Sequence, residues 1–338
     1  MSRRSTIVFT ASAVGLAVVF VMCMFMGSVD IPASDILRVL SGGEATRASH
    51  TFILLETRLP SAVAAVLCGM SLSVAGLLMQ TTFDNPLAGP SILGISTGSS
   101  LGVAVVMLFM GSVMGVWGKI AVLFGAIIGA LIVMALLLGL SAMVRSAVML
   151  LIVGILLGYL SSSAISLLNF FASREGVHAY VLWGLGSFSS VTLDTLPWFA
   201  TTAVVFTLVS FFYAKPLNAM LLGERYAASV GVPLRRMRMV MLILSGMLTA
   251  AATAWCGPIG FIGLVVPHIA RLALRSSNHQ VLLPATALIG GLVGGMCQLM
   301  STMPGTAGII PVNAITPVVG VPVIIYIIVK RRSISYFN

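Results

Sequence analysis

Runs of about 20 apolar residues recur along the whole sequence, separated by short connectors that hold most of the charge. A helix of about 20 residues can cross the hydrocarbon core of a bilayer, and it satisfies its own backbone hydrogen bonds there. Only 8% of the 338 residues are charged, whereas a soluble globular domain carries about 25%. So few charged residues are not enough for the surface of a folded protein that faces water. The sequence therefore predicts an all-α polytopic membrane protein.

The apolar runs divide into ten predicted spans within one transmembrane domain, residues 1–338. The first run, from Thr6 to Met26, exceeds the roughly 7–15 apolar residues of a signal peptide and lacks a small-x-small cleavage site, so we interpret it as an uncleaved span. The short eighth span opens with CGPIGF, which favours a re-entrant turn beside it, and 301–313 is expected to hold a short non-spanning helix. The spans are predicted at 6–26, 60–82, 92–111, 119–140, 147–170, 192–213, 239–256, 260–275, 282–300 and 312–329.

The charges of the connectors predict the orientation of the chain. With the N-terminus inside and alternating spans, the inside segments hold thirteen Arg and Lys residues against two acids, and the outside segments hold five against six. An excess of Arg and Lys in cytosolic connectors is typical of multi-pass membrane proteins. We therefore expect both termini in the cytosol. We attribute the net charge of +10 to this bias and not to nucleic-acid binding.

The sequence offers little that could perform chemistry. It contains neither a phosphate-binding loop GxxxxGK[ST] nor a zinc motif HExxH. The four cysteines lie in apolar runs without metal-like or paired spacing, which is typical of small buried hydrophobic residues. His268 and Arg271 are the ionisable residues nearest to a span centre, and we expect Arg271 to reach the membrane interface. We expect no metal, no bound cofactor and no enzymatic activity.

The longest predicted cytosolic connector, 215–239, is a candidate docking segment. A transporter without a nucleotide site must draw energy from another chain if it moves solute uphill. The connector contains LNAMLLGERYAASVGV, in which Leu217, Leu221, Ala228 and Val232 recur near helical spacing. Two glycines in this stretch, Gly223 and Gly231, offer bends. We expect an amphipathic helix along the membrane. It either inserts into a groove of a soluble partner or merely connects two spans.

Several separated stretches resemble the ABC-type importer permeases for iron–siderophores, haem and cobalamin. RLPSAVAAVLCGMSLSVAGLLMQTTFDNPLAGPSILGISTGSSLG is similar to the family's second span and its NPLA-centred turn, and LLGERYAASVGV is similar to its coupling helices. GPIGFIGLVVPHIARL and NHQVLLPATALIGG resemble the eighth span and the start of the ninth. The match covers nearly the whole chain, and the joint order of the motifs is specific. The resemblance implies a type II ABC importer permease bundle of ten spans that works as a homodimer with two ATPase subunits.

The resemblance also implies roles for particular residues. Spans 2–5 and 7–10 would form two units of opposite direction, with spans five and ten along the translocation path. Glu56 and Arg58 would dock a binding protein, although Ser61 stands where many members have a second arginine. Gly154 and Gly158, which share one helix face, would serve the path or the dimer contact and not internal packing. The implied ATPase-coupling residues are Leu222, Gly223, Glu224, Ala227, Val230 and Gly231, and the implied cytosolic gate residues are Asn85, Leu87, Ser146 and Ala147.

The combined prediction is a permease of the bacterial inner membrane, surrounded by lipid, for a ferric siderophore, haem or cobalamin. A periplasmic or lipid-anchored binding protein would deliver the cargo, and the separate ATPase subunits would use ATP and Mg²⁺. The alternative is an ion- or proton-coupled secondary transporter, which a carboxylate buried in a span would favour. A membrane enzyme would need a catalytic cluster at an interface.

Overall fold

The computed structural model describes residues 3–109, 116–144, 146–303 and 309–330. Within these residues every regular element is helical and none is a strand. The α-helices are α1 (Arg3–Phe25), α2 (Ala33–Leu40), α3 (Ala48–Phe52), α4 (Leu59–Thr82), α5 (Ile95–Phe109), α6 (Val116–Met143), α7 (Ala147–Phe171), α8 (Arg174–Gly184), α9 (Leu196–Phe211), α10 (Ala214–Met220), α11 (Glu224–Ser229), α12 (Leu234–Cys256), α13 (Ile262–Leu274), α14 (His279–Ser301) and α15 (Val312–Lys330). A π-helical turn, Ile53–Arg58, joins α3 to α4, and 3-10 turns occupy Pro90–Leu93 and Phe188–Ser190.

These helices agree with the predicted spans and confirm the all-α prediction. Six continuous helical stretches in the described residues are long and apolar enough to cross a bilayer. Helices α9 and α10 form a further candidate span, bent by 58°. Three shorter apolar helices, α5, α13 and α15, stand at the remaining predicted positions.

The connectors hold helices that the sequence analysis did not predict. Helix α2 buries Ile36 and Val39. Helix α8 follows Ser173, whose hydroxyl accepts a hydrogen bond from the backbone N–H of Gly176 (3.2 Å). The short helix predicted within 301–313 falls partly on 304–308, outside the described residues; 309–311 are not helical. Short polar helices of this kind lack the long apolar run that marks a span.

Successive spans run in opposite directions, so the connectors gather at two ends of the bundle. At one end, Arg4 of α1 donates to the carbonyl oxygen of Ala273 near the end of α13 (2.7 Å). At the other end, Arg58 donates to the carbonyl oxygen of Met24 near the end of α1 (2.6 Å). We call the first the α11 end, because it carries α10 and α11. We call the second the α8 end, because it carries α2, α3 and α8.

Helix α4 lies at the centre of the bundle, where it contacts α9, α12, α13 and α14. Small residues make this position possible. A Cβ added at Gly69 would lie 2.1 Å from the carbonyl oxygen of Gly290, and one at Gly76 would lie 1.7 Å from that of Gly263. The glycines of α4 therefore let α13 and α14 approach to backbone contact.

Helices α4–α7 and α12–α15 make matching sets of contacts. Helix α5 packs on α6 and α7 as α13 packs on α14 and α15, and α12 contacts α6 as α4 contacts α14. A residue with positive φ precedes both short helices: Gly94 (76°) precedes α5 and Phe261 (66°) precedes α13. Equivalent spans stand five apart in the chain and so run in opposite directions. This is the arrangement of an inverted repeat.

Candidate functional site

The coupling segment 215–239 forms two short helices and not one amphipathic helix. Leu217 of α10 and Ala227 of α11 are fully buried, whereas Ala228, which the sequence predicted on the apolar face, is exposed. The chain turns between the helices at Gly223, whose φ of 94° favours glycine. This turn shifts the phase of the second helix. The turn at Gly223 agrees with the bend predicted there, whereas the prediction that Ala228 lies on the apolar face was wrong.

An apolar patch is exposed on this segment at the α11 end. The side chains of Leu222, Tyr226 and Val230 are 65%, 49% and 54% exposed. We call these three residues the coupling patch. Exposed apolar groups that cluster outside the membrane mark contact surfaces for other proteins. Tyr226 was not predicted, although its position four residues before Val230 would have indicated it.

The residues that the resemblance placed at the ATPase interface are mostly accessible. Ala227 is buried against the bundle and holds α11 in place. The remaining predicted interface residues are exposed at the α11 end: Leu222, Gly223, Glu224, Val230 and Gly231.

Glu224 forms an ion pair with Arg238 of α12. The carboxylate begins α11 and its side chain is 52% exposed. An exposed ion pair contributes about 0.2–1 kcal/mol, so its main effect is to orient α11 on α12. A charge reversal, Glu224→Arg, would therefore displace α11 as well as alter any contact with a partner.

The predicted gate residues Asn85 and Leu87 lie in the turn that follows α4, which we call the gate turn (residues 83–88). The Asn85 side chain accepts a hydrogen bond from the backbone N–H of Leu87 (2.9 Å). Asp84, with φ 44°, adopts the left-handed conformation that reverses the chain. His268 of α13 donates from Nε2 to the carbonyl oxygen of Pro86 (2.9 Å). The gate turn is therefore attached to α13 as well as to α4.

The other two predicted gate residues stand at the start of α7. The Ser146 hydroxyl caps the helix by accepting a hydrogen bond from the backbone N–H of Met149 (3.4 Å). Ala147 is the first residue of α7, and its side chain lies outside the described part of the chain. Helix α7 meets the segment after the gate turn through Gly154, where an added Cβ would lie 2.9 Å from the Cα of Leu93.

Gly154 and Gly158 pack against the start of α5 within the same chain. A Cβ added at Gly94 would lie 2.9 Å from the carbonyl oxygen of Gly154 and 3.0 Å from the backbone nitrogen of Gly158. The two glycines therefore serve internal packing, the function that the sequence analysis had set aside in favour of the path or the dimer contact. The spacing of Gly154 and Gly158 shows that they share one helix face, but it does not show which neighbouring segment packs on that face.

Arg58 is buried, which corrects its predicted place on an exposed docking face. Its guanidinium donates to the carbonyl oxygens of Met24 (2.6 Å), Phe25 (3.2 Å) and Val29 (2.5 Å), at the C-terminal end of α1 and just beyond it. Carbonyls at a helix end lack intrahelical partners, so a buried cation there stabilises them. Glu56, the other predicted docking residue, is exposed at the α8 end.

Ser61, which stands where the resemblance led us to expect a second arginine, forms a neutral contact. Its hydroxyl donates to the carbonyl oxygen of Arg58 (3.0 Å) and accepts a hydrogen bond from Nε2 of Gln298 on α14 (3.2 Å). Both side chains are buried. The contact between α4 and α14 at this end therefore needs no charge.

A polar cluster holds α2 and α3 together at the α8 end. Asp35, which is 1% exposed, accepts hydrogen bonds from the hydroxyl of Thr46 (2.7 Å) and from its backbone N–H (3.2 Å), and its other oxygen lies 2.6 Å from Nδ1 of His50. The hydrogen bond with His50, followed by that of the Thr46 side chain, lowers the pKa of Asp35 to about 2. The carboxylate is therefore ionised at neutral pH.

We predicted that Arg271 reaches the membrane interface, but its side chain is instead buried against α4. It is 6% exposed, and its Nη1 donates to Oε1 of Gln80 on α4 (2.6 Å). The amide nitrogen of Gln80 donates to the carbonyl oxygen of Leu264 on α13 (3.1 Å). Gln80 and Arg271 therefore hold α4 and α13 together near the α11 end. Sequence spacing did not reveal this contact, because the two residues lie on different spans.

The fold and these contacts define a multi-pass helical transport permease built from an inverted repeat. Similarity to known proteins identifies the family of this permease. A profile of the FecCD transport family matches residues 15–330. The vitamin B12 import system permease protein BtuC of Citrobacter koseri is 32% identical over 294 residues, which cover 87% of this chain and 88% of the relative. MJ0876 of Methanocaldococcus jannaschii, assigned as an ABC transporter permease, is 31% identical over 90% of both chains.

The chain belongs to the FecCD transport family. It is the permease subunit of an ABC importer and a multi-pass inner-membrane protein. A solved structure with 26% sequence identity superimposes with a TM-score of 0.84 and covers 96% of this chain and 99% of its own. That structure is described as an inward-facing conformation of a protein assigned to the metal-chelate type of ABC transporter.

Proposed function

We propose that this permease imports a bulky metal chelate in a homodimer driven by two ATPase subunits that dock on the coupling patch. The observation that carries the proposal is the exposure of Leu222, Tyr226 and Val230 on the coupling segment at the α11 end. The connectors predicted at the α11 end hold most of the Arg and Lys residues, and the positive-inside rule supports a cytosolic location for this end and for both termini.

The proposed cargo is a ferric siderophore, haem or cobalamin. Relatives of this chain are vitamin B12 import permeases, and the similar solved structure is of the metal-chelate type. A periplasmic or lipid-anchored binding protein would deliver the cargo at the α8 end, where Glu56 is exposed. Arg58 would support that face only indirectly, because its guanidinium is buried against α1.

A polar stripe on α7 supports a path along this helix. Tyr159 and three serines that follow it at i+3, i+4 and i+7, Ser162, Ser163 and Ser166, share one helix face and are exposed in the single chain. Hydroxyl groups on one face of an apolar span are better accommodated by water or by a partner helix than by lipid. The stripe carries no charge, which suits a large cargo that must be held weakly. In the proposed dimer the stripe would line the path together with α15.

We infer no covalent chemistry for this chain and no cofactor of its own; ATP and Mg²⁺ would be bound by the ATPase subunits. Within the described residues no group of three or more His, Cys, Asp or Glu side chains is placed to hold a metal ion. All eight acidic residues lie at the two ends of the bundle. No observation therefore favours an ion-coupled secondary transporter, which a carboxylate buried in a span would support.

The test of ATPase docking is a charge placed in the coupling patch. We expect Tyr226→Arg to lower co-purification of the ATPase at least about tenfold, because a desolvated cation without a partner is costly in an apolar contact. Leu37→Arg is the matched control, since Leu37 is 59% exposed on α2 at the opposite end. Equal retention of the ATPase by Tyr226→Arg and the control, with both variants folded, would place the docking surface elsewhere.

A further inference from the structure

One buried histidine joins the coupling segment to two spans. His279 is the first residue of α14 and is fully buried. Its backbone nitrogen and its Nδ1 lie 2.7 and 3.0 Å from Oδ1 of Asn218 on α10. Its Nε2 lies 2.8 Å from the hydroxyl oxygen of Thr81 on α4. The side chain thus connects α10, α14 and α4.

The chemistry of the Asn218 side chain determines which atoms donate and which accept in its hydrogen bonds. The Asn218 amide nitrogen donates to Oδ1 of Asn278 (2.8 Å), so the Asn218 oxygen faces His279. An amide oxygen can only accept, so Nδ1 of His279 carries the proton and Nε2 is the acceptor. The Thr81 hydroxyl lies within hydrogen-bond distance of two acceptors, Nε2 of His279 (2.8 Å) and the carbonyl oxygen of Leu77 one turn earlier in α4 (3.0 Å), so the two acceptors share its one proton. The imidazole is neutral, and both of its nitrogens are satisfied.

Helix α10 also packs directly against α14 beside this polar contact. A cavity of about 510 Å³ lies beside it, lined by the bend between α9 and α10 and by the first turns of α14. Leu217 of α10 is buried, but its neighbour Asn218 is the residue that bonds directly to the start of α14. Removing the Asn218 amide would leave two buried donors of His279 without partners.

The other end of the chain of contacts leads to the gate turn. Thr81 lies in the last turn of α4, and its carbonyl oxygen accepts from the backbone N–H of Asp84 (3.4 Å). The preceding carbonyl, of Gln80, accepts from the backbone N–H of Asn85 (3.1 Å). The side chains of His279 and Thr81 therefore connect α10 to the residues that hold the gate turn.

We propose that Asn218, His279 and Thr81 are positioning residues that transmit movement of the coupling segment to α4, α14 and the gate turn. This inference rests on the proposed docking of the ATPase at the coupling patch. The three side chains contact neither cargo nor nucleotide in this role. They make α10, α14 and the end of α4 move as one body when the ATPase displaces α10 and α11.

The chain offers a matched pair of threonines for the test. Thr81 and Thr82 are adjacent, both buried and both in α4. Each hydroxyl contacts the carbonyl oxygen four residues earlier, that of Leu77 for Thr81 (3.0 Å) and that of Leu78 for Thr82 (2.7 Å), but only the Thr81 hydroxyl also contacts His279. We expect Thr81→Val to lower uptake per ATP hydrolysed about fivefold, the effect of losing about one hydrogen bond. Thr82→Val and the conservative Thr81→Ser should stay within about twofold of the wild type.

The experiment uses the reconstituted complex with its ATPase and binding protein. It measures ATPase retention, basal ATP hydrolysis and cargo uptake for the wild type, Thr81→Val, Thr81→Ser, Thr82→Val and Asn218→Ala. The proposal predicts normal retention and basal hydrolysis with reduced uptake per ATP for Thr81→Val and Asn218→Ala. Equal uptake per ATP in Thr81→Val and Thr82→Val would overturn it, as would losses of uptake that only follow losses of folded complex.

Hydrogen exchange provides a second readout that does not depend on the amount of active complex. In the wild type, binding of a non-hydrolysable ATP analogue to the complex should change exchange in residues 214–220 and 77–88 together. In Thr81→Val the change should persist in 214–220 and disappear from 77–88; its persistence in both would contradict the proposal. Failure of the wild-type chain to retain the ATPase would instead overturn the proposed docking itself.

Discussion

Helices α4 and α7 have equally apolar cores and opposite surroundings. The most apolar stretches of Ala48–Thr82, which ends with α4, and of Val148–Phe171 in α7 have the same mean hydropathy. Yet 83% of the first stretch is buried inside the protein and only 17% of the second. Hydropathy therefore indicates that a helix enters the membrane, but it does not indicate whether lipid or protein surrounds the helix.

Side-chain size accounts for the difference. Helix α4 has nine Gly, Ala and Ser residues among 24, and α7 has eight among 25. In α4, Gly69 and Gly76 let α14 and α13 reach its backbone.

Helix α7 presents large exposed side chains such as Leu156 (59%), Tyr159 (69%) and Phe170 (81%). It touches α5 where Gly154 and Gly158 leave room. The positions of the small residues, and not their number, therefore distinguish the central helix from the peripheral one.

The largest expected effect is that of filling a glycine of α4. A Cβ at position 76 would lie 1.7 Å from a backbone oxygen of α13, which cannot move without displacing that helix. We expect Gly76→Leu to destabilise the fold by more than about 3 kcal/mol and to abolish a monodisperse peak in detergent. Gly139→Leu on α6 is the control, because a Cβ there meets no atom within 4 Å. Equal stability and equally monodisperse elution of the two variants would contradict the central position of α4.

Removing the buried cation before α4 should have the next largest effect. We expect Arg58→Met to destabilise the protein by about 2–4 kcal/mol, because it leaves the carbonyls at the end of α1 without donors. Thermal unfolding in detergent measures this loss, and Glu56→Gln, which alters an exposed residue, should leave the melting temperature unchanged. A stable Arg58→Met protein with weakened binding-protein affinity would restore the docking role predicted from the sequence.

Within α7 the two glycines should respond differently to alanine. A Cβ at Gly154 would lie 2.9 Å from the Cα of Leu93, whereas the nearest atom to one at Gly158 is the Thr97 hydroxyl oxygen at 3.4 Å. We expect Gly154→Ala to cost about 1–2 kcal/mol. Gly158→Ala should be neutral or slightly stabilising, since alanine favours a helix over glycine by about 1 kcal/mol. Equal melting temperatures for both variants would show that α7 does not pack on α5 in this register.

The smallest expected effect is that of pH on α2 and α3, which lie at the α8 end. The folded pKa of Asp35, about 2, lies below its usual 3.8, so its hydrogen bonds stabilise α2 and α3 above about pH 4. This stabilisation should be lost as the pH falls towards 2. Hydrogen-exchange protection of residues 33–52 should then decrease while that of α4 persists. Asp35→Asn should remove the pH dependence; an unchanged dependence would assign it to another group.

The spans were predictable from the sequence because each long apolar run must satisfy its backbone in lipid as a helix. The contacts of buried polar side chains were not predictable in the same way. Arg58 and Arg271 have partners on other helices, and the phase of α11 depends on a left-handed turn at Gly223. Each of these depends on three-dimensional neighbours that spacing along one chain does not reveal.

The candidate site was therefore predicted as segments more accurately than as residues. The coupling segment and the gate turn lie at the same end of the bundle, as the resemblance implied. Tyr226 and His279 were not singled out. A lone aromatic and a lone histidine carry no signal until the structure places Tyr226 beside Val230 and His279 between Asn218 and Thr81.

The most direct test of the account is uptake into proteoliposomes that contain this chain, its ATPase and its binding protein, with a panel of ferric siderophores, haem and cobalamin. The account predicts uptake of one of these chelates that requires ATP on the side of the α11 end and continues after ion gradients are collapsed. Uptake that ignores ATP and follows a proton or sodium gradient would contradict it.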